Sequence, residues 1–600
     1  MAAKTAYQVW KSCLADKSAS PRDALLSAGG HALVMGGPGS GKTTVALEKA
    51  MHRVAQGLLV GQSALFLSFS RAAVARLNQA TQQAGAEALA ATRAGQLSLQ
   101  TFHSFFWQLI RTHGYLLGAP RVLTVLMPHD EKTLSGGAKR DTPEWNAWLQ
   151  QRETLFYEKG LVAFDLFAPL AVQLIHRSPL IKMQVASQHP LIIVDEAQDT
   201  GPDAFSFLIE LKKRCQIVCL ADLDQQIFDH LPGIGPERVQ AIKDELSPLE
   251  VDLGQANNRS PGTEIHTFAA DVLAGKPRGA PYVGVTAFSY NPKTQDPSSF
   301  LRAALAVGYR EIRSRGGSRS ANCAILATTG REVALISNAL MRARRPVPHR
   351  VVFDEAQALL AARFAAYLLE QESSADDALR EMLAMLAASH RAAGTTAGSK
   401  SAVKLLGWAN ELARGKKLSW PKIRAIQATI AEAQSIKFTG DPRVDWITVK
   451  KLLLDSSDAD LRKIARELDY LVAFRRGQAI TDQLANLWKI YGAYVNARKG
   501  LDAALAQDAM IGGAEDLSGV HVMTIHRSKG KQFDTVVLLR RGNPIGANQW
   551  RSSFVWRDDA PPYQRSRKIL RVGITRARKQ VVILQPTYPN CPLLAGHRFR

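Results

Sequence analysis

The feature that most restricts the fold is a glycine-rich turn set between two regular patterns. Ala32–Met35 is a short continuous apolar run, and TTVALEKAMHRVA after Lys42 reads as a helix. Between them stand Gly36, Gly37, Pro38, Gly39, Ser40, Gly41, Lys42 and Thr43, then Thr44, fitting G-x-x-x-x-G-K-[ST]. Residues without a Cβ let backbone N–H groups turn inward around phosphate oxygens, and the N-terminus of the following helix adds a favourable field. Lys42 neutralises the outer phosphates and the Thr43 hydroxyl holds Mg2+. A nucleoside triphosphate with Mg2+ is therefore the expected ligand: ATP, with other triphosphates open.

The same kind of apolar run recurs at Ala64–Leu67, Leu191–Val194, Ile217–Ala221, Cys323–Ala327, Val536–Leu539 and Val581–Leu584. Continuous apolar runs ending in polar or glycine residues suit parallel strands buried on both faces, with ligand chemistry at their carboxyl ends. Two stretches break the rhythm. Residues 106–185 read as helical around the loop SGGAKRDTPE, and residues 356–515 are alanine-rich and helical. Leu360, Phe364 and Leu368 recur at helix spacing, as do Leu461, Ile464, Leu468 and Leu471. AAGTTAGSK (392–400) reads as a loop inside that block. The expected class is α/β: a first lobe of 1–105 and 186–263 with an insertion at 106–185, and a second of 264–355 and 516–600 with an insertion at 356–515. A chain of 600 residues has room for roughly three to five domains.

Charge and cysteine content narrow the partners. Lys plus Arg number 76 against 53 Asp plus Glu, a formal net charge of +23. That excess attracts polyanions, of which nucleic acid is the commonest; a generally basic protein or one at a membrane surface stays open on charge alone. No apolar run of 18 residues occurs, and the start MAAKTAYQVWKSCLADKSAS lacks a signal-peptide core, so no membrane span and a cytoplasmic location are expected. Cys13, Cys215, Cys219, Cys323 and Cys591 form no Cys-x-x-Cys pair and read as structural thiols.

A second chemical cluster is LIIVDEAQD (191–199). Asp195 ends a buried strand, where it can take Mg2+ through water, and Glu196 beside it can orient and deprotonate an attacking water. Alone, Asp-Glu after a strand is a weak signal; downstream of the glycine loop it supplies what triphosphate hydrolysis needs.

DEAQD after that loop resembles the UvrD/Rep/PcrA branch of superfamily 1 DNA helicases, built on two RecA-like parallel-sheet lobes. Other blocks follow in the family's order. SFSRAAVARL (68–77) resembles motif Ia and TFHSF (101–105) motif Ib. ADLDQQIF (221–228) resembles motif III, with Gln225 where the γ-phosphate is sensed. NNRS (257–260) resembles motif IV, which places Arg259 on that phosphate. VMTIHRSKGKQFDTVVL (522–538) is similar to motif V, and VGITRARK (572–579) to motif VI, where Arg576 is the arginine finger. The resemblance implies DNA-stimulated hydrolysis, 3′ to 5′ movement on single-stranded DNA, binding at single-strand/duplex junctions, and roles in repair, replication restart or defence against phage. It places Phe69, Arg71, Thr101, Phe102, His103, Phe228, His230, Thr524 and His526 near the DNA. Phe69 and Phe102 follow strands, so each is either a base-stacking ring or core.

Departures cluster around the nucleobase. Asp23 stands where the family reads adenine with glutamine, Asn258 where an aromatic stacks on it, and Gln532 where a glutamate meets the sugar. Weak discrimination between ATP and other triphosphates follows. After motif III the chain reads LPGIGPERVQAI (231–242). This is either a turn opening a helix, or a hairpin whose Gly233 and Gly235 offer N–H groups to a DNA phosphate. GKKLSWPKIR (415–424), with Lys416, Lys417, Trp420, Lys422 and Arg424, is either a duplex contact or a solvated basic face. Two other activities stay open: a motor serving a separate nuclease or repair protein, and a triphosphate-controlled nucleic-acid sensor with little turnover. A small-molecule kinase would need no distal arginine blocks, which argues against that reading.

Overall fold

The computed structural model describes residues 20–69, 73–74, 77–78, 81, 90–91, 95–136, 138, 142–223, 234–254, 259–314, 321–352, 356–371, 374–392, 396–468, 478–511, 519–546, 549–556 and 559–599. Its strands are β1 (Ala32–Met35), β2 (Ala64–Ser68), β3 (Leu97–Thr101), β4 (Thr124–Leu126), β5 (Leu161–Ala163), β6 (Leu191–Val194), β7 (Gln216–Ala221), β8 (Leu249–Asp252), β9 (Val285–Tyr290), β10 (Cys323–Ala327), β11 (His349–Val352), β12 (Val520–Thr524), β13 (Phe533–Leu539), β14 (Gly542–Gly546), β15 (Gln549–Ser552) and β16 (Ala577–Pro586). All seven apolar runs singled out above lie on strands. The chain falls into two units: residues 1–110, 168–352 and 512–600 form one, and 111–167 with 353–511 the other.

The first unit carries both lobes. One six-stranded sheet has the order β3-β2-β6-β7-β1-β8, the other β11-β12-β10-β13-β16-β9. Every pairing within them is parallel, as Leu33 with Cys219 and Ile325 with Val522 illustrate. Parallel neighbours need crossovers, and helices filling those crossovers bury both faces. Hence β2, β6 and β10 are buried along their whole length. Val34, Phe66, Ile193 and Leu220 anchor the core of the first sheet, and Phe268, Val536, Leu538 and Ile583 that of the second. In the first sheet β6, β7 and β1 are adjacent, so the chain segments leaving their carboxyl ends share one edge. This adjacency positions the site.

The second unit is mainly helical, with one short parallel pair, β4 with β5. Leu360, Phe364, Leu368, Leu461, Ile464 and Leu468 are buried, while Leu471 lies outside the described residues. Arg363 joins the two insertions: its Nε donates to Asp502 at 2.7 Å and its Nη2 to Asp130 at 2.9 Å. Two expectations need correction. Residues 168–185 group with the sheet unit, not with the first insertion, because helices Phe167–Arg177 and Pro179–Gln188 bury Leu170, Leu174, Ile181 and Val185 and lead straight into β6. The supposed loop 392–400 is largely helix: Thr396–Ala413 begins within it, with 393–395 outside the described residues. Burial of Ala402 and Leu405 against helix Ala375–Ala392 overrides the poor helix propensity of Thr396 and Gly398.

Among the described residues no helix is long and apolar enough to cross a membrane. Cys215, Cys219, Cys323 and Cys591 are buried free thiols, and burial pushes Cys215 and Cys219 up to about 12. Cys13 lies outside the described residues. Phe364→Ala is expected to destabilise the helical unit by about 3–5 kcal/mol. Leu454→Ala, at a side chain 39% exposed, should cost less than about 0.5 kcal/mol. Chemical unfolding followed by the fluorescence of buried Trp446 checks both.

Candidate active site

After β1 the chain turns through Gly36–Gly41. Gly39 and Gly41 adopt φ of 88° and 93°, where a Cβ is disfavoured. A Cβ on Gly36 would stand 2.5 Å from Ser40 Oγ and 3.2 Å from Ser40 Cβ, so a side chain there would force Ser40 to shift. Lys42 opens helix Lys42–Ala55. Its Nζ donates to the carbonyl oxygens of Gly36 and, at 3.0 Å, Gly37, and lies 3.2 Å from Asp222 Oδ2. The ammonium is thus held across the mouth of the loop. Thr43 and Thr44 are exposed at the helix start.

The carboxylates come from the neighbouring strand ends. Asp195 leaves β6 buried; its N–H donates to Leu67 at 2.9 Å and its Oδ2 accepts from Ser68 Oγ at 3.4 Å. Glu196 takes a left-handed φ of 53°, a strain of about 1–3 kcal/mol that turns its side chain off the strand direction. Gln198, with no exposed surface, bridges two strand ends. Its Nε2 donates to Glu196 Oε2 at 2.6 Å, and its Oε1 accepts the Asp222 N–H at 3.1 Å. Asp222 follows β7. Thr43 and Asp195 offer a hydroxyl and a carboxylate, the hard oxygen donors that Mg2+ takes alongside water and phosphate.

The second lobe supplies cations. Lys529, after β12, forms an ion pair with buried Asp199. Arg576, only 1% exposed, stands between helix Gln564–Ile574 and β16. Its Nε donates to Val572 O at 3.0 Å and its Nη2 to Thr575 Oγ1 at 3.3 Å. Gly573 lets helix Gln564–Ile574 pack closely on β13, since a Cβ there would meet Leu538 Cδ2 at 3.1 Å. Arg259 Nη1 donates to Thr575 O at 3.1 Å, so the two arginines flank one residue. Burial alone would raise the Glu196 carboxyl; Lys529, Lys42, the Gln198 hydrogen bond and Arg576 overcome it and hold the group below the usual range. Asp199 is pushed up to about 6, chiefly by burial and against Lys529, with Glu196 and Asp222 adding to the rise. Buried Arg571 is held below its usual value by burial, with Asp222 opposing.

Sequence comparison agrees with this geometry. The family model for the UvrD/REP helicase N-terminal domain matches residues 18–137 and 125–232, and that for the UvrD-like helicase C-terminal domain matches 423–586. The chain belongs to the UvrD-like DNA helicases. It is similar to YjcD of Bacillus subtilis strain 168, 22% identical over 94% of this chain and 77% of that protein. DNA helicase II of Haemophilus influenzae is 23% identical over 92% and 82%, and the ATP-dependent DNA helicase PcrA of Staphylococcus aureus Mu50 21% identical over 94% and 82%.

The structure of this UvrD-like helicase gathers Lys42, Asp195, Glu196, Arg259 and Arg576 into one neighbourhood. Gln225, Arg71, Phe228, His230, Asn258 and Gly233 lie outside the described residues. Gln532 accepts from Arg578 Nε at 3.2 Å, and Asp23 is exposed on helix Ser20–Ser27. Among the expected DNA contacts, Phe102 must be reassigned. It is 2% exposed, with Phe69 at 4.8 Å and Phe106 at 5.8 Å between ring centroids, so it is core. Phe69 stays half-buried, and His103 is exposed. Thr101 is buried and accepts the Ser104 N–H at 3.1 Å. Thr524 accepts the Arg527 N–H at 3.3 Å, and His526 meets the Trp556 ring at 5.2 Å. The hairpin reading of 231–242 loses support at Gly235. That N–H already donates to Gln198 O at 2.7 Å, and Arg238 donates to Thr200 O while covering Phe205. In the helical unit Trp420 is 56% exposed and stacks on Trp408 at 6.4 Å, while Lys416 pairs with Glu411 and Lys422 with Asp458 and Asp460.

Sequence reasoning missed Gln198, Asp199, Asp222, Lys529 and Arg571. Asp222 carried a usable signal, since it ends an apolar strand as Asp195 does. Gln198 and Asp199 stood inside the quoted DEAQD. Arg571 carried none.

Gln198→Ala strands the Glu196 carboxylate and the Asp222 amide, at a cost of about 1–3 kcal/mol. Steady-state turnover should fall roughly ten- to hundredfold. Below about pH 6 Asp199 takes up a proton and its pairing with Lys529 weakens, so kcat should show an acid limb near 6 that Asp199→Asn removes. A carboxyl whose folded pKa is raised gains relative stability as pH falls, so the limb precedes acid unfolding. Parallel kcat and Tm profiles against pH separate the two.

Proposed function

We propose that this helicase is a 3′ to 5′ translocase on single-stranded DNA that couples triphosphate hydrolysis to closure of its two lobes. One observation carries the reading. Glu196 and Lys42 of the first lobe share a neighbourhood with Lys529 and Arg576 of the second, and all three cations act on the Glu196 carboxyl. Triphosphate in the loop meets Lys42 on one side. Mg2+, held by Thr43 and Asp195, would neutralise charge on the outer phosphates. Glu196, ionised at neutral pH, orients a water and accepts its proton as it attacks the terminal phosphorus. Arg259 and Arg576 stabilise the charge that develops there, and can do so only with the lobes together. Product release removes the charge that holds them, the lobes part, and the cycle moves the grip on DNA.

Asp23, Asn258 and Gln532 at the positions that read the base support a tolerant nucleotide site. The strand-end residues Phe69, Thr101, Thr524 and His526 support a DNA path along the carboxyl edges of both sheets. The stack of exposed Trp420 on half-buried Trp408, with Lys404 Nζ 5.0 Å from the Trp408 ring, supports a nucleic-acid contact on the helical unit. Repair, replication restart and defence against phage are the settings such a motor suits, alone or feeding a separate nuclease.

Glu196→Gln should lower DNA-stimulated hydrolysis by about 10³-fold and leave nucleotide affinity unchanged, as read by turnover and by binding of a non-hydrolysable analogue. Wild-type protein that binds single strands yet turns over no triphosphate would sink the motor reading. Unwinding of a 3′-tailed but not a 5′-tailed duplex checks polarity. The kcat/KM values for ATP and GTP should agree within about tenfold, and a preference of about a thousandfold would end the tolerant-site reading.

A further inference from the structure

The helical unit holds a pair of indoles, one of them kept in solvent on an ordered backbone. Helix Thr396–Ala413 carries Trp408, half-buried against the core of that unit. The helix stops where Gly415 takes a φ of 78° and its N–H donates to Leu412 O at 2.9 Å. A left-handed glycine just past a helix ends it cleanly. Pro421 then opens helix Pro421–Ser435, whose Ile423 and Ile426 have no exposed surface. Proline holds the residue before it in extended backbone, and Trp420 accordingly has φ −65° and ψ 149°. Trp420 is 56% exposed; its ring lies within 16° of parallel to that of Trp408, with centroids 6.4 Å apart.

The surroundings are cationic. From Thr396 to Ile430 the sequence has one carboxylate, Glu411, among seven lysines and arginines. Glu411 pairs with Lys416, and Lys422 pairs with Asp458 and Asp460. Lys404 stands one helical turn before Trp408 and places its Nζ 5.0 Å from that ring. Arg414, Lys417 and Arg424 are exposed. Aromatic rings beside solvated cations suit a single strand, whose bases stack on the rings while its phosphates meet the charge. A duplex keeps its base faces covered by their neighbours and offers the charge alone. An acidic peptide or an anionic membrane likewise meets only the charge.

We propose that Trp408 and Trp420, with Lys404, Arg414, Lys417 and Arg424, form a second binding site for single-stranded DNA, carried by the helical unit. A base stacks on Trp420, and the phosphates beside it lie on the cations. Trp408 sets the plane of the Trp420 ring in advance, which lowers the cost of ordering it when the strand binds. The site is tolerant of sequence, because every base has a π-face. A grip made by helices, with no part of the triphosphate site in it, holds the strand in every nucleotide state. The proposal rests on the reading of this chain as a single-strand motor, and adds a hold separate from the strand ends of the sheets.

The test titrates full-length protein with a thymidine oligonucleotide of about eight nucleotides, with and without a non-hydrolysable ATP analogue. The wild type should show a second class of site beside the motor's own, with a Kd that the analogue moves less than about threefold. Trp420→Ala should weaken that class about tenfold or more. Trp420→Phe, which keeps a stacking ring, should weaken it less than about threefold. Replacing Lys404 and Lys417 together by alanine should lower its affinity and flatten its dependence on salt. A relaxed closed-circular duplex should compete for it poorly. A single class of site in the wild type overturns the proposal, as does wild-type affinity in Trp420→Ala. Equal competition, phosphate for phosphate, by the duplex also overturns it, as does displacement of the strand by polyglutamate at equal charge. Should Trp420→Ala melt early, the double lysine variant decides: unaltered affinity and salt dependence there overturn the proposal. Turnover of ATP by the wild type is read separately, and its absence defeats the motor reading while the binding titration stands.

Discussion

Asp195, Glu196, Asp199 and Asp222 leave two adjacent strands of one sheet, and such a group cannot stay ionised unless cations come to it. Lys42 arrives along the chain, from the loop after β1. Lys529, Arg571 and Arg576 arrive from the second lobe. The opposite effects on neighbouring carboxyls show how finely this is balanced. Glu196, acted on by Lys529, Lys42 and Arg576, is held low, while Asp199, more strongly penalised by burial, rises to about 6 in spite of Lys529. The cations that offset these carboxylates thus come from both lobes. On the proposed reading, a nucleotide that brings further negative charge is drawn to them, and its cleavage and departure alter the force between the lobes.

The scaffold makes that balance possible by cheap means. Parallel strands buried on both faces put successive carboxyl ends at one edge, and adjacency of β6, β7 and β1 brings three loops together without long excursions of chain. Gln198 ties two of those loops with a single amide, and the left-handed turn at Glu196 aims the carboxylate away from the strand. Gly235 and Arg238 fasten the segment after motif III to the carbonyls of Gln198 and Thr200. Whatever that segment meets is thus mechanically linked to the hydrolytic loop, a link that the hairpin reading of its glycines would not have suggested.

Legibility followed the range of the interaction. Most strands buried on both faces show as continuous apolar runs, and every run singled out is a strand, but interior β12 holds buried His521 and carries no such run. Edge strands such as β3 and β8 are half polar and were not seen. Phe102 stays open between ring and core in the sequence, and 392–400 reads there as a loop, for one reason: local pattern cannot tell a ring facing solvent from one facing a helix, or a loop from a poor helix held by its neighbours. Asp222 could have been found by the logic that found Asp195.

The sequence by itself determined the phosphate loop, the Asp-Glu pair after a buried strand, the class of fold and the family, because each depends on contiguous residues whose conformation is set by glycine freedom, burial and strand periodicity. Tertiary structure alone decided which charges compensate which, that Phe102 is core, and that the Gly235 N–H is taken by Gln198. Those outcomes depend on where two separately folded sheets place side chains hundreds of residues apart, and no local pattern encodes a distance across a cleft.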